Sequence, residues 1–150
     1  MTIYPALLLV HLLCVVVWVG GMVFALFCLR PAAIAVLPPP QRLALLHAAL
    51  ERFFSIVVMA IALTIVSGVA MLLTAGSKSI PFAWMWMIGL GTVMMIIFFH
   101  VRAAHLKRLG ACVKAGDFST AAGHLEKIRF AVTLNLGIGL AIIALMKLGR

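Results

Sequence analysis

The chain predicts an all-α fold: an integral membrane four-helix bundle, up-down-up-down, with helices extending into the cytoplasm. Three observations predict it. Only 10% of the residues are charged while 66% are hydrophobic, more apolar surface than a soluble chain of 150 residues could bury. The apolar residues gather in four runs, about 5–29, 53–73, 81–99 and 130–146, none containing Asp, Glu, Lys or Arg. Each run holds about 17–25 residues, the length a helix needs to cross a hydrocarbon core of about 30 Å. The short connections between runs hold nearly all the cations, and four spans with their connections use up residues 1–150 as one domain.

The cations set the expected orientation. Arg30, Arg42, Arg52, Arg102, Lys107, Arg108, Lys114, Lys127 and Arg129 fall in the first and third connections. Lys78, Lys147 and Arg150 fall on the other side. The positive-inside rule places both termini in the periplasm and the basic connections in the cytoplasm of a bacterial inner (plasma) membrane. The net charge of +9 is therefore a topology signal with anionic-lipid contact, not a nucleic-acid surface.

Taken in order, the first span looks superficially like a signal peptide, with Ala33-Ile34-Ala35 imitating a cleavage site. No Lys or Arg precedes it and its apolar run exceeds a signal core of about 7–15 residues, so it is expected to stay as an anchor. Pro38-Pro39-Pro40 breaks the chain and supplies residues suited to the first turn of the second helix. From there Leu43, Leu46, His47, Leu50, Phe53 and Phe54 repeat at helical spacing into the second span. Gly76-Ser77-Lys78-Ser79 before Pro81 reads as a short external turn. Gly116 is expected to end the third helix and Asp117 to cap the fourth. Small residues (Gly21 and Ala25, Ser67, Gly89 and Gly91, Gly137 and Gly139) mark faces where helices can approach in lipid. Cys14, Cys28 and Cys112 supply no disulfide framework.

Chemistry is expected in the outer half. His11 lies about 9 Å inside the outer face at 1.5 Å rise per residue. An imidazole at that depth needs a partner, and ionisable groups within membrane spans point to function. Cys14 follows one turn deeper on the same face and Trp18 a turn beyond. Met87, on the parallel third helix, sits at the same expected depth, and Met71 and Met146 close the outer ends of the second and fourth helices. Imidazole, thiol and thioether at one level suit Cu(I), with His11, Cys14, Met87 and Met71 as ligands. An imidazole with a thioether also suits heme b, held by His11 alone or by His11 and Met87, with Trp18 as a further cofactor-binding residue.

His100 ends the third span and cannot share a metal with His11, because about 20 Å of depth separates them. It is expected to be a structural histidine at the interface, or to bond Asn135 or join His47 in a second site. His105 and His124 lie on the cytoplasmic extensions and are expected to be solvated. The spans contain no carboxylate for a proton relay, and no phosphate-cradling loop or nucleophile–base pair stands out.

The run His11-Leu12-Leu13-Cys14-Val15-Val16-Val17-Trp18-Val19-Gly20-Gly21-Met22, then Leu29-Arg30-Pro31, resembles the opening of the copper-resistance protein D family. Phe99-His100, Ile128-Arg129 and Asn135-Leu136-Gly137 continue the resemblance. It implies an inner-membrane protein of copper uptake or resistance working beside a periplasmic copper carrier, with His11 and His100 as the family histidines. A more distant similarity runs to the oxygen-independent protoporphyrinogen oxidase family, four-span proteins that bind heme b. That similarity rests on His11 and the Trp84-Met85 pair, and Ile88 stands near the place of its heme-linked Lys. It implies an oxidoreductase exchanging electrons with quinone or a small oxidant. A copper-handling protein is the first reading, a heme b redox protein the alternative, and a purely structural subunit the third.

Overall fold

The computed structural model describes residues 3–75 and 81–148. The turn expected at Gly76-Ser77-Lys78-Ser79, and with it Lys78 and Arg150, lies outside them. Four long helices account for the described chain: α1 (Tyr4–Val36), α2 (Pro39–Ala75), α3 (Phe82–Ala115) and α4 (Phe118–Leu148). Each contains one of the four apolar runs. A helix of 34 residues such as α3 is about 50 Å long, well beyond a hydrocarbon core of about 30 Å. The apolar run of α3 ends at Phe99, so its remaining turns, like those of α1, α2 and α4, project beyond the apolar slab at the basic end. The protein is a multi-pass membrane protein.

Local chemistry sets where the helices bend and stop. Pro31 has no N–H to offer its own helix and its ring crowds the preceding turn. The misfit is taken up just before it, where Ala25–Leu29 widens into a π-turn and the Arg30 N–H reaches back to the Ala25 carbonyl. Leu37, ahead of three prolines, is extended at φ −117°, ψ 139°, which ends α1. At the other hairpin, Gly116 takes φ +74° and its N–H bonds the Val113 carbonyl at 3.3 Å, while the Asp117 N–H bonds Cys112 at 3.0 Å. That pair of bonds is a Schellman stop. Asp117 then starts α4, its carboxylate accepting from the Thr120 N–H at 3.1 Å and the Ser119 hydroxyl at 2.9 Å.

α1 runs against α2 and α3 against α4, the antiparallel neighbours that short connections dictate. Trp18, Met22, Phe54, Val57, Met94, Phe98, Ile128, Val132 and Leu136 fill the centre. Trp18 meets Phe98 edge-on at 5.9 Å, and Phe54 lies 4.9 Å from Phe98. Large apolar side chains such as Leu9, Phe27, Val66, Ile96 and Phe130 point outward all round, an arrangement stable only against lipid. Two glycines mark close approaches: a Cβ at Gly21 would overlap the Phe53 ring, and one at Gly139 would lie 3.1 Å from Val19 and 3.4 Å from Met94. Gly89, Gly91 and Gly137 have open space where a Cβ would go, so those expected contact faces turn away from the neighbouring helices. At the basic end Glu126 bridges Arg30 of α1 at 2.9 Å and Arg129 at 2.7 Å, fixing the α1 extension to α4.

Candidate functional site

His11 sits half-buried on the inner face of α1, the face that continues through buried Cys14, Trp18 and Met22. Opposite it α2 presents Thr64, Ser67, Gly68 and Met71, one helical face at i, i+3, i+4 and i+7. Ser67 and Met71 are buried, and Gly68 leaves room for the ring, since a Cβ there would stand 3.5 Å from His11 Cε1. His11 Nδ1 and Ser67 Oγ are 3.2 Å apart. Ser67 has one proton, and its hydroxyl donates it backward along α2, to the Leu63 carbonyl at 2.6 Å. Its oxygen is then an acceptor toward His11. The imidazole therefore carries its proton on Nδ1, which leaves the Nε2 lone pair free for a ligand. The Thr64 hydroxyl, on the same face, is buried without a hydrogen-bond partner.

The residues expected around His11 divide between neighbouring and diagonal helices. Cys14, a buried free thiol, and Met71 lie on the two faces that meet at His11. Met87 is half-buried on α3, which packs along α4 and reaches α1 chiefly deeper down, through Trp18 against Phe98. Trp18 is buried in the central aromatic cluster. Among the described residues no group of three or more His, Cys, Asp or Glu side chains converges on one point. An ion at His11 would therefore be held by one imidazole with sulfur or hydroxyl partners.

The second expected constellation, His100 with His47 or Asn135, is not assembled. Asn135 is buried and its amide donates to the Met94 carbonyl at 3.1 Å, while its own Oδ1 has no partner. The His47 ring lies over Gly110 and lines a cleft of about 410 Å³ with Glu51, Arg102, Lys107 and Lys114, a mostly basic surface. Helix direction is the cause: α2 delivers His47 to α3 ten residues past His100. His100 is exposed and meets His105 edge-on, ring centres 5.9 Å apart.

His105 and His124, expected to be solvated, are instead half-buried and face one another, with their Nδ1 atoms 3.3 Å apart. The signal was available. Counted outward from the Gly116–Asp117 turn, the two positions fall within about one helical turn of the same level. His105 also rides on a second π-turn, Arg102–Leu106. Beyond the apolar run, burial and then the charges of Lys127, His124, His100 and Arg108 hold His105 below the ordinary imidazole range, which favours the neutral ligating form.

The profile of the family described as copper resistance protein D matches residues 47–148, which takes in about three quarters of α2 and the whole of α3 and α4. The chain belongs to the copper resistance protein D family. No curated protein and no solved structure matches it. Membership associates the protein with copper resistance and handling in general. The matched stretch contains Ser67, Gly68, Met71, Met87 and the histidines of α3 and α4, whereas His11, Cys14 and Trp18 precede it.

Proposed function

We propose that this protein takes Cu(I) as cargo at His11, with Cys14 and Met71 as sulfur partners and Met87 as a further donor from α3. The observation that carries the reading is the His11–Ser67 hydrogen bond. It supports the tautomer with the proton on Nδ1 and a free Nε2 lone pair, on the α1 face that also carries Cys14 and opposite the α2 face that carries Met71. Soft sulfur with imidazole suits Cu(I), and a Cys14 thiolate would offset the charge that otherwise makes burying a cation costly. The cation distribution of nine against three supports a periplasmic position for this end, on the face of a bacterial inner membrane where both termini would lie. Copper would then arrive from a soluble periplasmic carrier.

The test is metal content after anaerobic loading of the purified protein with Cu(I). His11→Ala is expected to lose the copper held at this end. Undiminished copper in that variant would sink the assignment. An optical spectrum of the same unloaded sample decides the alternative: a Soret band that disappears in His11→Ala would put heme b at this position instead of copper.

A further inference from the structure

The cations of the basic end outnumber the acids that answer them. The chain has three carboxylate side chains, and two are committed: Glu126 to Arg30 and Arg129, Asp117 to the cap of α4. The third, exposed Glu51, lines the cleft of about 410 Å³ between α2 and α3 with His47, Ser55, Arg102, Lys107 and Lys114. Among the described residues Glu51 makes no ion pair, and neither do Arg102, Lys107 and Lys114. Three cations therefore share one recess with a single carboxylate that neutralises none of them. Their field is complementary to an anion from outside the chain.

The recess begins where the apolar slab ends. Arg102 is the first Lys or Arg after the apolar run of α3, and its half-buried guanidinium reaches across to α2, donating to the Phe54 carbonyl at 3.1 Å. That bond holds the side chain at the boundary and uses one of its five N–H donors, leaving others for an acceptor in the cleft. Lys107 and Lys114 follow about 8 and 18 Å farther out along α3, at 1.5 Å per residue. Deeper on the same faces the helices turn apolar. Met59 follows Ser55 by one turn on α2, Phe99 precedes Arg102 by one turn on α3, and both are exposed where lipid lies.

We propose that this cleft binds the phosphodiester headgroup of an anionic glycerophospholipid, with Arg102 and Lys107 on the phosphate and the acyl chains descending along Met59 and Phe99. Phosphate oxygens match the guanidinium fork, and lysines add charge without strict geometry. The Ser55 hydroxyl is spent on the Glu51 backbone carbonyl at 2.9 Å, so selection rests on the cations. A free phosphate offers the same oxygens but gains nothing from Met59 and Phe99. A zwitterionic lipid brings a cation of its own into a basic recess and gains less. Bound there, the headgroup screens the repulsion among Arg102, Lys107 and Lys114 and ties α2 to α3. The site stands apart from the copper reading, since no residue of the His11 face lines it.

The experiment measures lipid retention by native mass spectrometry of the full-length protein, released from micelles holding equal amounts of phosphatidylglycerol and phosphatidylcholine with the same acyl chains. Wild type is expected to retain phosphatidylglycerol roughly tenfold over phosphatidylcholine, and to melt at a higher temperature in its presence. Lys107→Gln/Lys114→Gln should lose that preference. Arg108→Gln/Lys127→Gln removes the same charge from the same end but outside the cleft, and should keep it. Glu51→Gln takes away the one carboxylate of the recess and should retain phosphatidylglycerol more strongly, a gain that misfolding does not produce. Equal loss in the two double variants means diffuse surface attraction and overturns the proposal. So does an unchanged preference in Lys107→Gln/Lys114→Gln, or no gain in Glu51→Gln. The last arm replaces the lipid with sodium glycerol phosphate at equal concentration. Protection against melting as large as that from phosphatidylglycerol would give the cleft to a soluble phosphate and overturn the lipid assignment.

Discussion

The two ends of this bundle use the same side chain in opposite ways. At His11 the imidazole is embedded between two apolar helices, and its partner is one hydroxyl whose proton is already committed to the backbone of α2. Nothing charged stands on the α2 face it meets, so orientation comes from hydrogen bonding to α2, Ser67 foremost, and from the space above Gly68. At the basic end His105 and His124 are oriented by each other, among cations, on helices extended beyond the apolar slab. The lesson is physical. In a low-dielectric span one hydrogen bond suffices to choose a tautomer, because no water competes for the ring. Near water the same selection needs a second imidazole and a field of like charge.

Ser67→Ala should sharpen that comparison most. It removes the acceptor for the His11 Nδ1–H while leaving His11, Cys14 and Met71 in place. Loss of such a supporting partner typically weakens metal binding by about 10–100-fold. Cu(I) competition with a chelator should show a drop of that size at the His11 site. An unchanged affinity at His11 would mean that Ser67 does not set the tautomer.

How much of this was legible in the chain follows from what each feature depends on. The apolar runs, the break at Pro38-Pro39-Pro40 and the Gly116–Asp117 hairpin are local in sequence, and the helices obey them. Depth along a helix was also legible, since it needs only a rise per residue. Rotation about the helix axis was not. Depth alone sets Met87 level with His11, whereas it is the rotation of α2 that turns Ser67 and Met71 toward α1 while α3 packs along α4. His100, His47 and Asn135 were grouped by nearness to one end, but Asn135 turns inward to Met94 and His47 turns to Gly110. The two π-turns shift the rotation of everything after them, and neither is announced by composition alone, although Pro31 explains the first.

The ends should also differ in packing slack. Gly68 and Gly110 each sit under a histidine ring, but a Cβ at Gly68 would make an ordinary contact of 3.5 Å with His11. At Gly110 it would lie 2.5 Å from His47 Nε2 and 2.9 Å from Cε1. Gly68→Ala should therefore be neutral or stabilising, because alanine in a helix interior gains about 0.5–1 kcal/mol over glycine. Gly110→Ala should be destabilising by about 1–3 kcal/mol, the usual cost of overpacking, unless the His47 ring swings into the basic cleft. Thermal denaturation of both variants in detergent measures the pair. Equal and opposite shifts to those expected would show that the His11 side, not the His47 side, is the tighter one.

The smallest expected effect lies at the hairpin that holds His105 opposite His124. Hydrogen bonds from Thr120, then from Ser119, hold the Asp117 carboxyl below the usual carboxylate range. A carboxyl whose pKa is lower folded than unfolded contributes stability that is present above its unfolded pKa. That contribution is lost as pH falls through its folded pKa, because below both values the proton is bound in either state. Asp117→Ala should thus lower the melting temperature modestly at neutral pH. The gap between variant and wild type should narrow as the pH drops below the ordinary carboxylate range, leaving only what a neutral cap provides. The two ends should respond differently: a frayed start to α4 loosens the hydrogen-bond spacing of His105 and His124. The His11 site, locked by α2 with no contribution from this hairpin, should not respond. A gap that widens on acidification would show that Asp117 is not stabilised as the anion, and a loss of copper at His11 would tie that site to the hairpin after all.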